Sequence, residues 1–547
     1  MLAYLNSPTA ALLQHLHNQT MGKHPGPVLR IGGNSADKSC FVEDELPLPR
    51  GCDYRITSEQ LRAYASFAAQ FPELNITYVL DVNFGVSETP EIAVAHIQAI
   101  GREQLWPLVR AVEIGNEHDH YARRSPQDQW AKGHRDMNFH YRAYASQLAD
   151  YIGAMHANGL PHHRVQGGTW ACSPSHAVTE RSTVTCGGGF AGNISEYIKS
   201  FAGDLTSFSF HRYGASHCGN KELHATDLLL DRASRGHAAV VAPLVAAAGE
   251  LEFVIGEGNS VACGGVAGVS DTFASALWVL DFLCEMSKAG VRRVNLHSGP
   301  SVLYTPIGFG RDGELQVRPL YYGLRLYAEL TANYSVWLAS HETSAARWDA
   351  SLSESDPRCD RGIASPSSAT CCARSCETCG GVGCEDRAGG ESACCHHAIT
   401  SSGRMCTHSE APCVIDSGFQ QSPIVQHATL DVHGTVRVLV IARAANAREP
   451  RSTSVCLPSA MEAADVRKAH LVVLKAPSLT STHNDRITLA GQTWSQSTDG
   501  LPTGLRQTIV VTGHLNISSD QPAGTRVECF AFKVAPASAA MLVIPSV

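Results

Sequence analysis

Phe253-Val254-Ile255-Gly256-Glu257-Gly258-Asn259-Ser260 decides the fold. A short apolar run ends on one glutamate, and glycines follow at Gly258, Gly264, Gly265 and Gly268. Such a run, bounded by glycines and followed by a helix opening at Ser270-Asp271, predicts a buried parallel strand that carries a carboxylate to its C-terminal tip. Ala111-Val112-Glu113-Ile114-Gly115-Asn116-Glu117 has the same form. Two strands of one sheet then deliver two glutamates to the same edge. Paired carboxyl groups are what glycoside hydrolysis requires, one to attack and one to move a proton.

Outward from these strands the chain alternates. Helices are expected at 8 to 20, 58 to 71, 89 to 100, 138 to 157, 235 to 249 and 270 to 288, and another at 324 to 336. Strands are expected at Val28-Leu29-Arg30-Ile31, Ile76 to Asp81, Ala111 to Glu117, Arg164 to Thr169, Ser207 to Tyr213, the Glu257 run and Val291 to His297. That order predicts an α/β fold of the (β/α)8 TIM-barrel type over residues 1–340, whose active groups sit at the C-terminal ends of the strands. Seven strands are counted where a closed barrel has eight. Met1 to Met21 has neither the basic start nor the apolar core of a secretory leader. A first strand and a leader lying upstream of Met1 would account for both. From 423 the segments are short and β-rich, separated by Gly, Pro, Asn and Asp, so 416–547 is expected to be a C-terminal β-sandwich.

The chain has 547 residues, 44% of them hydrophobic, and a net charge of -8 without basic runs, which speaks against nucleic acid as a partner. No stretch approaches the length of a membrane-spanning helix. Ten of the 19 cysteines fall between Cys359 and Cys413. An even, dense cluster with sequons at Asn18, Asn75, Asn193, Asn333 and Asn516 predicts secretion and a disulfide-stapled insert over 351–415. Cys376-Glu377-Thr378-Cys379 with Cys394-Cys395-His396-His397 also has zinc-like spacing, the less favoured alternative. The insert is expected to hold cell-wall or matrix glycan, or to serve as a spacer.

Leu29-Arg30-Ile31-Gly32-Gly33-Asn34-Ser35-Ala36-Asp37, Glu113 to Glu117, Phe210-His211-Arg212-Tyr213, Gly256 to Ser260 and Gly268 to Trp278 together resemble glycoside hydrolase family 79, the β-glucuronidases and heparanases. The resemblance covers roughly 28 to 340. It implies retention of configuration, with Glu117 as acid/base and Glu257 as nucleophile, and no metal or organic cofactor. It places Asn116, Asn34, Ser35, His211 and Tyr213 around the sugar, and it gives Tyr304 and the Gly264 amide to a uronate carboxylate. A tyrosine common in similar proteins a few residues after the nucleophile is replaced here by Ala262-Cys263. The implied activity is removal of terminal β-linked glucuronic acid from glycans. An endo-acting, heparanase-like enzyme and a non-catalytic glycan-binding protein are the alternatives.

Overall fold

A computed structural model describes residues 6–17, 26–43, 46–85, 89–121, 139–161, 163–172, 183–185, 190–219, 221–299, 302–310, 312–338, 384–386, 392–394, 423–444, 449–458, 467–517 and 526–546. Seven parallel strands form one sheet in sequential order: β1 Val28–Ile31, β2 Thr77–Val82, β3 Val109–Ile114, β4 Val165–Trp170, β5 Leu205–His211, β6 Glu252–Gly258 and β7 Arg293–Leu296. The helices between them are α2 Ser58–Gln70, α3 Glu91–Arg102, α4 Tyr141–Ala157, α5 Ile194–Phe201 and α6 Arg235–Ala248, then α7 Phe273–Lys288 and, after β7, α8 Pro319–Leu330. A helix α1, Ser7–His17, precedes β1. The sheet curls until Asn295 Nδ2 on β7 donates to the Val28 carbonyl on β1, 2.9 Å away. No ladder joins these two strands, and both are half-buried along their length, whereas β4 is buried throughout. The barrel is therefore nearly closed by seven strands, and no eighth lies among the described residues.

The barrel interior is crowded beside Glu257. A Cβ on Gly256 would stand 2.0 Å from Ser209 Oγ and 3.2 Å from its Cβ, so any larger residue there would force the serine hydroxyl to turn away. Outside, the helices bury one face each. Thr57 caps α2 in a reciprocal box with Gln60, and Leu61, Tyr64 and Phe67 turn inward. The helix expected from Ser270 begins instead at Phe273. Its first amides donate to the C-terminal region: Phe273 N to Ser481 O (2.7 Å) and Ala274 N to Leu479 O (3.0 Å). Ser270 Oγ accepts from Val266 N and shapes the preceding loop.

The last barrel helix is shifted as well. It starts at Pro319, which is favourable at a first helical position, and ends at Leu330. Val336, expected as the last residue of that helix, instead opens a strand, Val336–Leu338 (β8), antiparallel to Ile424–Leu430 (β9). These join Val436–Ala442 (β10), Lys468–Lys475 (β12), Ile509–Thr512 (β13) and Ser538–Ile544 (β16) in one sheet. Arg451–Pro458 (β11), His514–Ile517 (β14) and Arg526–Val534 (β15) form a second, with β15 central. Val438, Val440 and Leu542 of the first sheet pack with Val455, Phe530 and Phe532 of the second. The cysteine-rich stretch lies outside the described residues, apart from an antiparallel pair, Cys384–Asp386 with Ser392–Cys394. Described disulfides join Cys40 to Cys52, Cys218 to Cys263 and Cys456 to Cys529. No helix is long and apolar enough to cross a membrane among the described residues.

The two regions share an apolar core, in which Leu277, Leu280, Tyr321 and Leu326 of α7 and α8 meet Leu439, Val472 and Met541. A buried polar clasp sits at its edge. Asp281 on α7 accepts from Arg443, from Ser234 Oγ and from His427 Nε2 (2.8 Å), while Lys288 donates to His427 Nδ1 at 2.7 Å. Burial works to raise the Asp281 pKa, but Arg443, His427 and Ser234 outweigh it and hold the carboxyl well below its ordinary value. A depressed folded pKa contributes stability that is present above the unfolded value, about 3.9, and lost as pH falls. Asp281→Asn is therefore expected to cost about 3–5 kcal/mol at neutral pH, since Arg443 is left without its buried anion. The gap between wild type and variant should narrow below about pH 4. Urea melts at several pH values test this, and a pH-independent gap would show that charge is not the cause.

Candidate active site

The tips of the seven strands converge on two glutamates and one arginine. Glu257 ends β6 beside His211, with which it pairs across the ladder where the register shifts. Such an irregularity re-aims a side chain that strict alternation would send to the other face of the strand. Tyr213 Oη donates to Glu257 Oε1 at 2.8 Å, and Arg30 Nη1 donates to Oε2 at 2.9 Å. Both carboxylate oxygens thus have a fixed donor. Burial, and then the neighbouring Glu257, push the Tyr213 phenol well above its ordinary pKa, so it keeps the proton it donates.

Glu117 arrives by a different backbone route. After β3 the chain turns at Gly115 (φ +80°), where a Cβ would lie 2.5 Å from Phe84 and 2.7 Å from His118. Glu117 itself adopts φ +53°, a left-handed conformation uncommon for a side chain of this type and frequent at functional sites. The turn is held by Glu117 N donating to Thr169 O (3.0 Å) and by an aromatic bed of Phe84, His118, Tyr144 and Trp170. His211 Nδ1 lies 3.0 Å from Glu117 Oε1. Glu117, His211 and Glu257 each bring a polar atom within 4.8 Å of the others'. Glu117 and Glu257 are both buried, at 5% and 8% exposure.

The other expected residues divide. Asn116 is fully buried: its amide donates to Asp37 (3.2 Å), its Oδ1 accepts from Arg30 (2.9 Å), and its Nδ2 donates to Asn34 Oδ1 (2.9 Å). Asn34 and Ser35 are exposed at the mouth, and Ser35 opens a short 3-10 turn without using its hydroxyl as a cap. Tyr304 packs against Tyr213, ring centres 6.0 Å apart, and its hydroxyl lies 2.6 Å from His297 Nδ1. Burial pushes its phenol up to about 12. Gly264 (φ +87°) accepts from Leu303 N at 3.0 Å, joining the loop after Glu257 to the one that carries Tyr304. Ala262 and Cys263 belong to that loop too; Val261–Ala262 pairs in parallel with Ala215–Ser216, and Cys263 is bridged to Cys218.

Arg30 was not among the residues assigned a role from sequence. It lies at the centre of the interior. Its Nε donates to Glu113, its Nη1 to Glu257 and its Nη2 to Asn116, with Asp81 at 3.7 Å. Burial opposes its charge, but Glu113, Glu257 and Asp81 outweigh that and hold its pKa above the ordinary value. Glu113 is fully buried on this guanidinium and on Gln166 Nε2 (2.6 Å), below the mouth. The signal lay in the sequence: a lone arginine inside an apolar strand must find carboxylates, and Glu113 and Glu257 were the carboxylates on neighbouring apolar strands.

Three clusters of described residues have metal-ligating side chains close together. In one, Glu117, His211 and Glu257, the Arg30 guanidinium already occupies the position facing Glu257. In another, Cys172 is disulfide-bonded and offers no thiolate to Asp119 and His120. In the third, Asp281, Glu285 and His427 are matched by Arg443 and Lys288. The chemistry the site supports is proton transfer and attack by carboxylates.

No family profile matches the chain. A β-glucuronidase of Aspergillus niger is 30% identical over 83 residues, so the match spans 15% of this chain and 15% of that protein. Solved structures match over almost the whole length. The GH51 arabinofuranosidase of Xanthomonas axonopodis pv. citri aligns with TM-score 0.51 and 12% identity, covering 98% of this chain and 89% of its own. An α-L-arabinofuranosidase of Thermotoga maritima, in complex with arabinose, gives TM-score 0.51, 12% identity and the same coverage. At such identities the likeness is one of fold: a barrel joined to a sheet-rich C-terminal region, the architecture of these glycosidases.

Proposed function

We propose that the protein is a retaining glycoside hydrolase acting on terminal β-linked glucuronic acid. The observation that carries the reading is the approach of Glu117 and Glu257 at the strand tips, with oxygens within 4.8 Å. Retaining enzymes keep their carboxyl groups about 5–5.5 Å apart, whereas inverting enzymes hold them at about 6.5–9.5 Å to admit a water. In the first step Glu257 attacks the anomeric carbon. The glycosidic C–O bond breaks as Glu117 gives its proton to the leaving oxygen. In the second, Glu117 takes a proton from water, the water oxygen bonds to the anomeric carbon, and the Glu257 ester is released. Arg30 and Tyr213 hold Glu257 in line for attack. The glucuronide preference is supported by the short match to the fungal β-glucuronidase, by the resemblance of the strand-tip motifs, and by Tyr304, packed against Tyr213 on a loop joined to Gly264. The three described disulfides suit an extracellular site of action.

The test uses aryl β-D-glucuronides with a good and a poor leaving group, beside an aryl α-L-arabinofuranoside. Wild type should release phenol from both glucuronides. Glu117→Gln should lose about 10²–10⁴-fold on the poor leaving group, and far less on the good one, which needs little protonation. Turnover of the arabinofuranoside alone would move the glycone assignment. Silence on every glycoside would remove the enzyme reading and leave glycan binding to be measured directly.

A further inference from the structure

His211, which touches Glu117, ends β5, and Tyr213, which touches Glu257, lies on the short turn after it, to which helix α6 brings the His237 side chain. Arg212 Nε donates to His237 Nδ1 at 2.9 Å, so this nitrogen carries no proton. The proton is on Nε2, which donates to the Gly214 carbonyl, also at 2.9 Å. One imidazole therefore grips the residue before Tyr213 and the residue after it. The backbone of the same turn is tied to the nucleophile strand: Arg212 N donates to Glu257 O, Gly214 N to Asn259 O and Ala215 N to Ser260 O, at 2.9, 2.9 and 2.8 Å. Gly214 fits against Trp278 so closely that a Cβ would meet the indole nitrogen at 2.4 Å. Among the described residues no carboxylate pairs with Arg212, so His237 is the partner of its Nε–H.

We propose that His237 is a positioning residue for the catalytic pair: by clamping Arg212 and Gly214 it sets the Tyr213 hydroxyl on Glu257 and the His211 ring on Glu117. Burial, with Arg212 beside it, pushes the imidazole pKa down to about 3, so the clamp stays neutral and keeps one tautomer at any working pH. A residue that only filled space here would leave both bonds unmade while the core stayed packed. The inference rests on the retaining-glycosidase reading, because its effect is on the two groups that perform that reaction.

The experiment compares the whole protein with His237→Ala and His237→Gln. On an aryl β-D-glucuronide, His237→Ala should lower kcat about 100-fold, the cost of a misplacement on the order of an ångström, while KM changes little. Gln offers an acceptor and a donor at the end of its side chain and should recover about tenfold of that loss. A kcat within about twofold of wild type for His237→Ala would overturn the inference. So would equal losses in Ala and Gln accompanied by equal losses of thermal stability, the mark of a structural role. A second readout does not depend on turnover. Ultraviolet titration of the phenols should show one tyrosine ionising at lower pH in His237→Ala, with that change absent from the His237→Ala/Tyr213→Phe double variant. An unchanged titration would overturn the positioning role even if wild type proved silent on every glycoside, an outcome that would by itself remove only the enzyme reading.

Discussion

Glu257→Gln should lose turnover by roughly 10⁴-fold or more, equivalent to at least about 5 kcal/mol of transition-state stabilisation, while the fold survives. The second half of the prediction follows from the partners. Gln keeps an oxygen for the Tyr213 hydroxyl, and Arg30 keeps Glu113 on its Nε and Asn116 on its Nη2. What disappears is the nucleophile. Glu257→Gly with azide gives a sharper outcome. A small anion in the vacated space attacks from the nucleophile's side and yields a glycosyl azide of inverted configuration. Glu117→Gly with azide should yield the retained configuration, because the azide then intercepts the glycosyl ester from the opposite face. The two products assign the two roles independently of rate. Exchange of the stereochemical outcomes would reverse the assignment, and equal activity of Glu257→Gln and wild type would remove it.

The two glutamate strands were legible because a parallel strand covered on both faces reads as a continuous apolar run, and the charge that ends it stands out. Phe253 to Glu257 and Ala111 to Glu117 both have this form; the first lies in the barrel sheet as far as Glu257, whereas the second leaves the sheet after Ile114 and carries Glu117 on the turn beyond it. Their approach to one another is set by pairings remote in sequence, β5 with β6 and β3 with β4, which periodicity does not encode. The same distance hid Arg30, whose partners lie 83 and 227 residues away. It also hid the true start of α7, since the carbonyls that accept from Phe273 and Ala274 belong to Ser481 and Leu479. Val336 continues the apolar spacing of Leu324 to Tyr327 and so falls in the expected helix, while the partner that makes it strand comes only at Leu430. Arg451–Pro458 and Arg526–Val534 escaped because polar and charged residues interrupt the apolar pattern of both. Local pattern thus gave the elements their type. Long-range partners set where several of them begin and end, and which charges meet.

Arg30→Met should be the most damaging substitution of a residue that need not touch substrate. The guanidinium is buried and contacts Glu113, Glu257 and Asp81, so Met in its place leaves three carboxyl groups around an apolar chain. Removing one side of a buried ionic cluster costs about 3–5 kcal/mol, far more than such a cluster contributes relative to an apolar one. The pH dependence carries a definite sign. Burial first, and then Glu113, already raise the folded pKa of Asp81 well above its ordinary value. A raised folded pKa contributes stability that is full below the unfolded value, about 3.9, and lost as pH rises through the folded one. Without Arg30 that value rises further, so the penalty of Arg30→Met should be smallest in acid and grow toward neutral pH. Arg30→Lys restores charge but cannot present a planar fork to Glu113, Glu257 and Asn116 together, and should recover stability more than turnover. The discriminating variant is Arg30→Met/Glu113→Gln. If an uncompensated charge is the cause, removing the second charge should return about 1–3 kcal/mol in urea melts, a non-additivity expected only of groups in direct contact. Simple addition of the two losses would show instead that Arg30 acts by filling the barrel, and would separate its packing from its hold on Glu257.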